Sequence, residues 1–204
     1  MGSTTIVTTT TPEICQTSSL KIVRSMFSRG FAERHDLEQY FWTESTVKRL
    51  MNSLNDFYEE CCCLTTPSLA HGWHLEGREE WLLDIDRRFE YLPKFRYFNL
   101  ISPENIEEEF QIIIFDPPFF YISMEQMYKA VCKIVKDNFK TKILIGFLKR
   151  EERELMKYFG IFGIKPTNFL LEYAQVKPNK WKNYCLYSNV DLPGIKRMKK
   201  CNNY

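Results

Sequence analysis

The chain has 204 residues, of which 44 % are hydrophobic, 26 % charged and 15 % aromatic, and it carries a formal net charge of +2. That composition suits one globular domain and excludes a disordered chain, a collagen-like repeat and a mucin-like stalk. The near-neutral charge neither demands nor forbids a nucleic-acid partner.

No run of about 18 apolar residues exists, so the sequence offers no membrane-spanning helix. Residues 1–17 are Thr-rich and read as a disordered tail without a signal-peptide pattern. Residues 20–31 have weak helical character. In 43–54, Val47, Leu50, Met51 and Leu54 recur at helical spacing behind Thr43, a candidate N-cap. Residues 60–64 suggest a short strand, followed by a loop at Pro67. Further strands are expected at 81–85, 96–100, 111–115 and 142–147, with helices at 123–137 and 150–159. Residues 169–176 and 184–188 read as a closing strand pair. The main domain is expected to span 18–193, and 194–204 reads as a basic tail, a solubilising end with contact to RNA or an acidic protein as the alternative.

Seven cysteines, three of them consecutive at Cys61, Cys62 and Cys63, form no Cys-x-x-Cys pattern. Reduced thiols in a cytosolic or nuclear protein are the simplest account. The three histidines build no metal signature, so no metal is expected. His71-Gly72-Trp73-His74 matches no functional pattern.

Strands alternating with helices predict an open α/β fold with a mostly parallel sheet and an antiparallel C-terminal edge. Ligands bind such sheets at the carboxyl ends of the strands. Asp116-Pro117-Pro118-Phe119 stands there, directly behind an Ile-Ile-Ile-Phe strand. Two consecutive prolines cannot continue a central strand and hold a rigid turn. Such a turn fixes the Asp116 carboxylate and the Pro117 carbonyl as acceptors, with Phe119 as a flat wall. Two acceptors and a wall suit an amine nucleophile. There is no Gly-x-Gly-x-x-Gly loop, but a cofactor without pyrophosphate needs no phosphate cradle.

The tetrapeptide is similar to the Asp/Asn-Pro-Pro-aromatic motif of amino-methyltransferases that use S-adenosylmethionine. Four further segments extend the resemblance over about three quarters of the chain: Gln39-Tyr40-Phe41-Trp42-Thr43, Thr66-Pro67-Ser68-Leu69, the run from Leu82 to Phe89, and Phe98-Asn99. Their order resembles the family that joins elongation factor 1 alpha lysine methyltransferases with zinc-knuckle rRNA adenine methyltransferases, long labelled probable N6-adenine methyltransferases. The resemblance implies a Rossmann-like class I methyltransferase with S-adenosylmethionine as cofactor. It implies Asp116, Pro117, Pro118 and Phe119 as the catalytic motif. Asp86 would accept from the cofactor ribose, with Asp84 a competitor and a salt bridge to Arg87 or Arg88 the structural alternative. Asn99 would meet the adenine edge, and Thr65, Thr66 and Ser68 would line the methionine moiety. Phe41 and Trp42 would pack over the pocket or simply fill the core. Phe120 and Tyr121 could cage a lysine or stack on a flipped base. The substrate expected first is a lysine of a translation elongation factor in the cytoplasm. The alternatives are adenine N6 in RNA or DNA and a non-catalytic binding subunit.

Overall fold

The computed structural model describes residue 27 and residues 31–199. The tail expected at 1–17 and most of the weak helix at 20–31 lie outside the described residues. The chain divides after Ala32, and the body below begins at Glu33.

Seven strands form one sheet in the order β3-β2-β1-β4-β5-β7-β6. They are β1 (Cys61–Leu64), β2 (Trp81–Asp84), β3 (Phe95–Tyr97), β4 (Ile112–Phe115), β5 (Lys142–Leu148), β6 (Lys165–Pro166) and β7 (Tyr184–Ser188). The first five are parallel, and β7 runs antiparallel to both β5 and β6. This is the expected sheet with its antiparallel edge. β1 and β4 are wholly buried, as parallel strands covered on both faces must be. The three consecutive cysteines are therefore core residues of β1, and burial pushes their thiols up. Among the described residues no cluster of three metal-ligating side chains occurs.

The helices are α1 (Glu44–Leu54), α2 (Pro67–Leu75), α3 (Met124–Ile134), α4 (Glu152–Phe159) and the short α5 (Pro178–Trp181). Thr43 caps α1 by accepting from the Thr46 N–H. Ser123 and Gln126 form a full capping box on α3. The α3 stripe Met127, Ala130, Val131 and Ile134 packs with Ile113, Phe115, Ile143 and Ile145 of the sheet. Each large apolar side chain so buried contributes about 1.5–3 kcal/mol. No helix among the described residues is long and apolar enough to cross a membrane.

Two elements differ from the sequence expectation. Residues 67–75 are helix, not loop. Pro67 occupies the first turn, where its missing N–H leaves no bond unmade. Here the unassigned His71-Gly72-Trp73-His74 is a packing device. His71 Nδ1 lies 2.6 Å from the Tyr91 hydroxyl, and Trp73 is fully buried. A Cβ on Gly72 would stand 2.4 Å from Val47 Cγ1, so glycine permits the close approach of α1 and α2.

Residues 169–176 are not a strand of the sheet. The real edge strand is Lys165–Pro166. The alternating burial of Phe169, Leu171 and Tyr173 is genuine, but the extended segment pairs elsewhere. Thr43 N–H donates to Glu172 O at 2.9 Å and Ala174 N–H to Phe41 O at 2.8 Å. Period-two patterning reports a half-buried extended chain, not its partner.

The segment expected to begin a basic tail packs on the body as far as Met198, whose N–H donates to Pro166 O at 2.8 Å. Ile195 is fully buried, and Arg197 bridges to Thr167 and pairs with Asp191 at 3.0 Å.

Candidate active site

The chain reverses direction across the sheet between β1 and β4, the point where open α/β sheets form a crevice at their strand ends. A cavity of about 210 Å³ lies there. Thr65, Asp84, Asn99 and Asp116 line it from the ends of β1 to β4, and residues 36–40 line it from outside the sheet.

Asp116, at the end of β4, is one of the polar groups of this lining. The Tyr173 hydroxyl donates to its Oδ1 at 2.9 Å. The Trp42 indole N–H lies against the same carboxylate and favours its ionised form, though without a hydrogen bond of standard geometry. Burial outweighs both donors and raises the Asp116 carboxyl well above its ordinary range. The room for this carboxylate comes from β5. A Cβ on Gly146 would stand 2.6 Å from Asp116 Oδ1 and 3.1 Å from Leu171 Cδ1.

Pro117, Pro118 and Phe119 continue the cavity wall. The Phe119 ring meets Phe147 edge-on at 5.0 Å and lies 6.1 Å from Tyr184. Beyond it Phe120 and Tyr121 are 65 % and 71 % exposed, and Tyr121 reaches the cavity lining. Their main-chain N–H groups donate to the Glu38 carboxylate at 2.8–2.9 Å.

The opposite wall is assembled from scattered residues. Thr65 adopts φ 52°, a left-handed conformation rare for a β-branched residue. Its N–H donates to Leu83 O at 3.0 Å and its hydroxyl to Asp116 O at 2.8 Å, so one residue ties β1 to the ends of β2 and β4. Asp84 ends β2. Its carboxylate accepts the Asp86 N–H at 2.8 Å. Burial raises its pKa to about 7. Phe98, Leu100, Ile85 and Ile101 supply apolar surface around Asn99, whose Oδ1 accepts the Ile101 N–H at 2.9 Å.

Several sequence-named residues stand elsewhere. The Asp86 side chain faces a neighbouring hollow rather than the main cavity. Arg88 grips both of its oxygens, at 2.9 Å and 3.0 Å through Nε, and Gln39 donates to it at 3.1 Å. Burial pushes the Asp86 carboxyl up, but these donors prevail and leave it below its ordinary value. The salt-bridge alternative thus describes its contacts, with Arg88 as the partner. Thr66 is buried and donates to Ile114 O at 3.3 Å, while Ser68 accepts the Trp42 N–H at 3.3 Å. Neither lines the cavity. Phe41 and Trp42 are core side chains behind it, with Phe41 edge-on to Phe89. Tyr40 lines the cavity in their place.

Sequence reasoning passed over Glu38, Tyr173 and Gly146. Tyr173 carried a signal only as one apolar position of a strand-like run. Glu38 and Gly146 carried none, because their roles arise from partners 82 and 30 residues away.

The family described as probable N6-adenine methyltransferase matches residues 33–192. A solved structure from Pyrococcus horikoshii, provisionally described as an RNA methyltransferase, is similar over 86 % of this chain and 100 % of that chain. The identity is 17 % and the TM-score 0.51, a likeness of fold. A TehB-like SAM-dependent methyltransferase from Corynebacterium glutamicum aligns at 11 % identity, over 89 % of this chain and 97 % of that one, with a TM-score of 0.49. The N-methyltransferase NodS from Bradyrhizobium japonicum, in complex with S-adenosylhomocysteine, aligns at 13 % identity, over 71 % and 84 %, with a TM-score of 0.43. None of the curated proteins matches the chain.

Proposed function

The chain belongs to the probable N6-adenine methyltransferase family, a family of S-adenosylmethionine-dependent methyltransferases, and from that premise we propose that it methylates the side-chain nitrogen of a protein lysine. The lining of the cavity carries this reading. Asp36, Glu38, Asp84 and Asp116 are among its lining residues, with Asp36 paired to Arg34 and Glu38 to the Phe120 and Tyr121 N–H groups, and no lysine, arginine or histidine is among them. Such a cavity favours cations over phosphates.

The same lining fits the cofactor. The buried Asp84 carboxylate at the end of β2 has acceptor capacity beyond its main-chain partners, which suits a pair of ribose hydroxyls. The apolar surface of Ile85, Phe98, Leu100 and Ile101 suits a purine ring, with Asn99 at its edge. This assignment puts Asp84, not Asp86, in the ribose role. Thr65 is the residue of the first loop that reaches the methionine side. When bound, S-adenosylmethionine supplies an electrophilic methyl group.

The acceptor half then has three tasks. Asp116 Oδ2 and the Pro117 carbonyl accept from the amine N–H groups and direct its lone pair. Tyr173 occupies Oδ1 and so fixes the plane of the carboxylate. The aromatic wall excludes water, which lowers the pKa of a lysine from about 10.4 toward the neutral, nucleophilic form. Asp116 remains a weak base against such an amine even with a raised pKa, so its contribution is orientation.

The resemblance to elongation factor 1 alpha lysine methyltransferases makes that cytoplasmic factor the first protein to test. One observation favours adenine in RNA instead. Residues 173–190 contain Lys177, Lys180 and Lys182 and no acidic side chain. They lead into Tyr184, which neighbours Phe119, and Lys149 N–H bonds to Asn183 O beside them. Transfer of labelled methyl from S-adenosylmethionine to total protein and to total RNA separates the two. Label in protein that hydrolyses to methyl-lysine supports the proposal. Label in RNA alone overturns it in favour of adenine, and label in neither, together with S-adenosylhomocysteine binding, favours a non-catalytic subunit.

A further inference from the structure

The loop that follows Asp116 has an unusual means of support. Pro117 and Pro118 have no N–H to donate. Among the described residues, no main-chain carbonyl accepts an N–H from Phe119, Phe120, Tyr121 or Ile122. Their place is taken by one side chain 82 residues upstream. Glu38 Oε1 accepts the Phe120 N–H at 2.9 Å, and Oε2 accepts those of Phe120 and Tyr121, each at 2.8 Å. Glu38 is 7 % exposed, and its own backbone is left-handed at φ 52° and ψ 32°, a conformation that glycine or asparagine adopts more readily. A buried carboxylate on a strained backbone, spent wholly on two adjacent N–H groups, is a clamp.

We infer that Glu38 is a positioning residue for the acceptor half of the site. It sets the register of the Phe120–Tyr121 backbone and thereby the approach angle of the Pro117 carbonyl and the Phe119 ring. Glu38 also belongs to the segment that closes the cavity from outside the sheet. The next residue, Gln39, bonds to Asp86 at 3.1 Å and accepts from Arg88 at 2.9 Å. Gln39 thus ties the same segment to the turn after β2, while Glu38 holds the acceptor side. This inference rests on the methyl-transfer reading of Asp116, but the clamp itself is separable from it.

The test uses the full chain, with Glu38→Ala and Glu38→Gln beside the wild type. Amide hydrogen exchange over residues 119–123 reads the clamp directly. Loss of charge-assisted bonds should speed exchange at Phe120 and Tyr121 by about tenfold or more in Glu38→Ala, with Glu38→Gln in between. Transfer of labelled methyl to total protein and total RNA should fall by about tenfold in Glu38→Ala and recover in part in Glu38→Gln. Titration with S-adenosylhomocysteine should give the same affinity for all three proteins. Unchanged exchange in Glu38→Ala overturns the clamp. A loss of S-adenosylhomocysteine affinity as large as the loss of transfer overturns the positioning role and makes Glu38 a support of the cofactor wall. A wild-type chain that labels neither fraction contradicts the function proposed above, while exchange still judges the clamp.

Discussion

The two halves of the cleft proposed above hold a carboxylate in different ways. Asp116, on the acceptor side, sits in a hole left by Gly146 and has one oxygen taken by Tyr173 before any ligand arrives. Asp84, on the cofactor side, is held by main-chain N–H groups of its own turn and keeps capacity toward the cavity. The acceptor carboxylate is fixed in advance, as orientation of a nucleophile requires. In the proposed reading, the Asp84 carboxylate is completed by its ligand. Four substitutions break or sharpen this contrast.

The largest effect is expected from Asp116→Ala, which removes the acceptor-side carboxylate. Methyl transfer should fall by about a thousandfold, while the thermal midpoint and far-UV circular dichroism stay near those of the wild type. Retention of most activity would show that the motif is a structural turn.

Gly146→Ala comes next. The new methyl group must displace Asp116 Oδ1 or Leu171, and a carboxylate moved by about 1 Å costs about a hundredfold in transfer. A smaller loss of cofactor affinity than of rate confines the damage to the acceptor half.

Tyr173→Phe leaves the packing but removes the donor. A bond to an ionised group is worth about 1.5–3 kcal/mol, so transfer should slow by about tenfold or more. The sign of its pH effect follows from the burial that raises Asp116 and the Tyr173 donor that opposes it. Without the donor, the Asp116 pKa rises further, so the acid limb of the rate profile moves to higher pH. A limb that stays in place would mean that Tyr173 acts by packing alone.

The smallest effect is expected from Asp84→Asn, at about tenfold in S-adenosylhomocysteine affinity. Its pH signature is more telling. Burial holds the wild-type Asp84 pKa at about 7 against an ordinary 3.8. Ribose hydroxyls donate best to the ionised form, so affinity should rise as pH increases toward 7 and level off above it. The same shift means that the folded chain binds this proton more tightly than the unfolded one. Its contribution to stability is therefore present at low pH and lost as pH rises to about 7. Both trends should vanish in Asp84→Asn.

The contrast also explains what could be read in advance. The acceptor motif is contiguous, and its strand is an unbroken β-branched run, so residues 112–119 were legible in the sequence. The mostly parallel sheet followed from the alternation of strands and helices, and the antiparallel edge from the closing strand pair, of which 184–188 is a strand of the sheet and 169–176 is not. The cofactor wall is built from single residues at the ends of β1, β2 and β3, where a shift of one or two positions exchanges cavity for core. Asp84 and Asp86 are two residues apart, yet one lines the cleft and the other is locked to Arg88. Thr65, Thr66 and Ser68 divide in the same way, because Pro67 turns the chain into a helix after a single half-buried position. Trp42 and Phe41 kept the core role that was their alternative. Glu38, Tyr173 and Gly146 could not be found from local pattern, since each acts on a group that only the fold brings near.

The most direct test of the two-part cleft is isothermal titration of S-adenosylhomocysteine into wild type, Asp116→Ala and Asp84→Asn at pH 8.5, on the side where Asp84 is ionised. Equal micromolar binding by wild type and Asp116→Ala, with binding weakened in Asp84→Asn, is the expected result. Absence of binding by the wild type, or a loss on the Asp116 side equal to that on the Asp84 side, would contradict the division of the cleft into a cofactor half and an acceptor half.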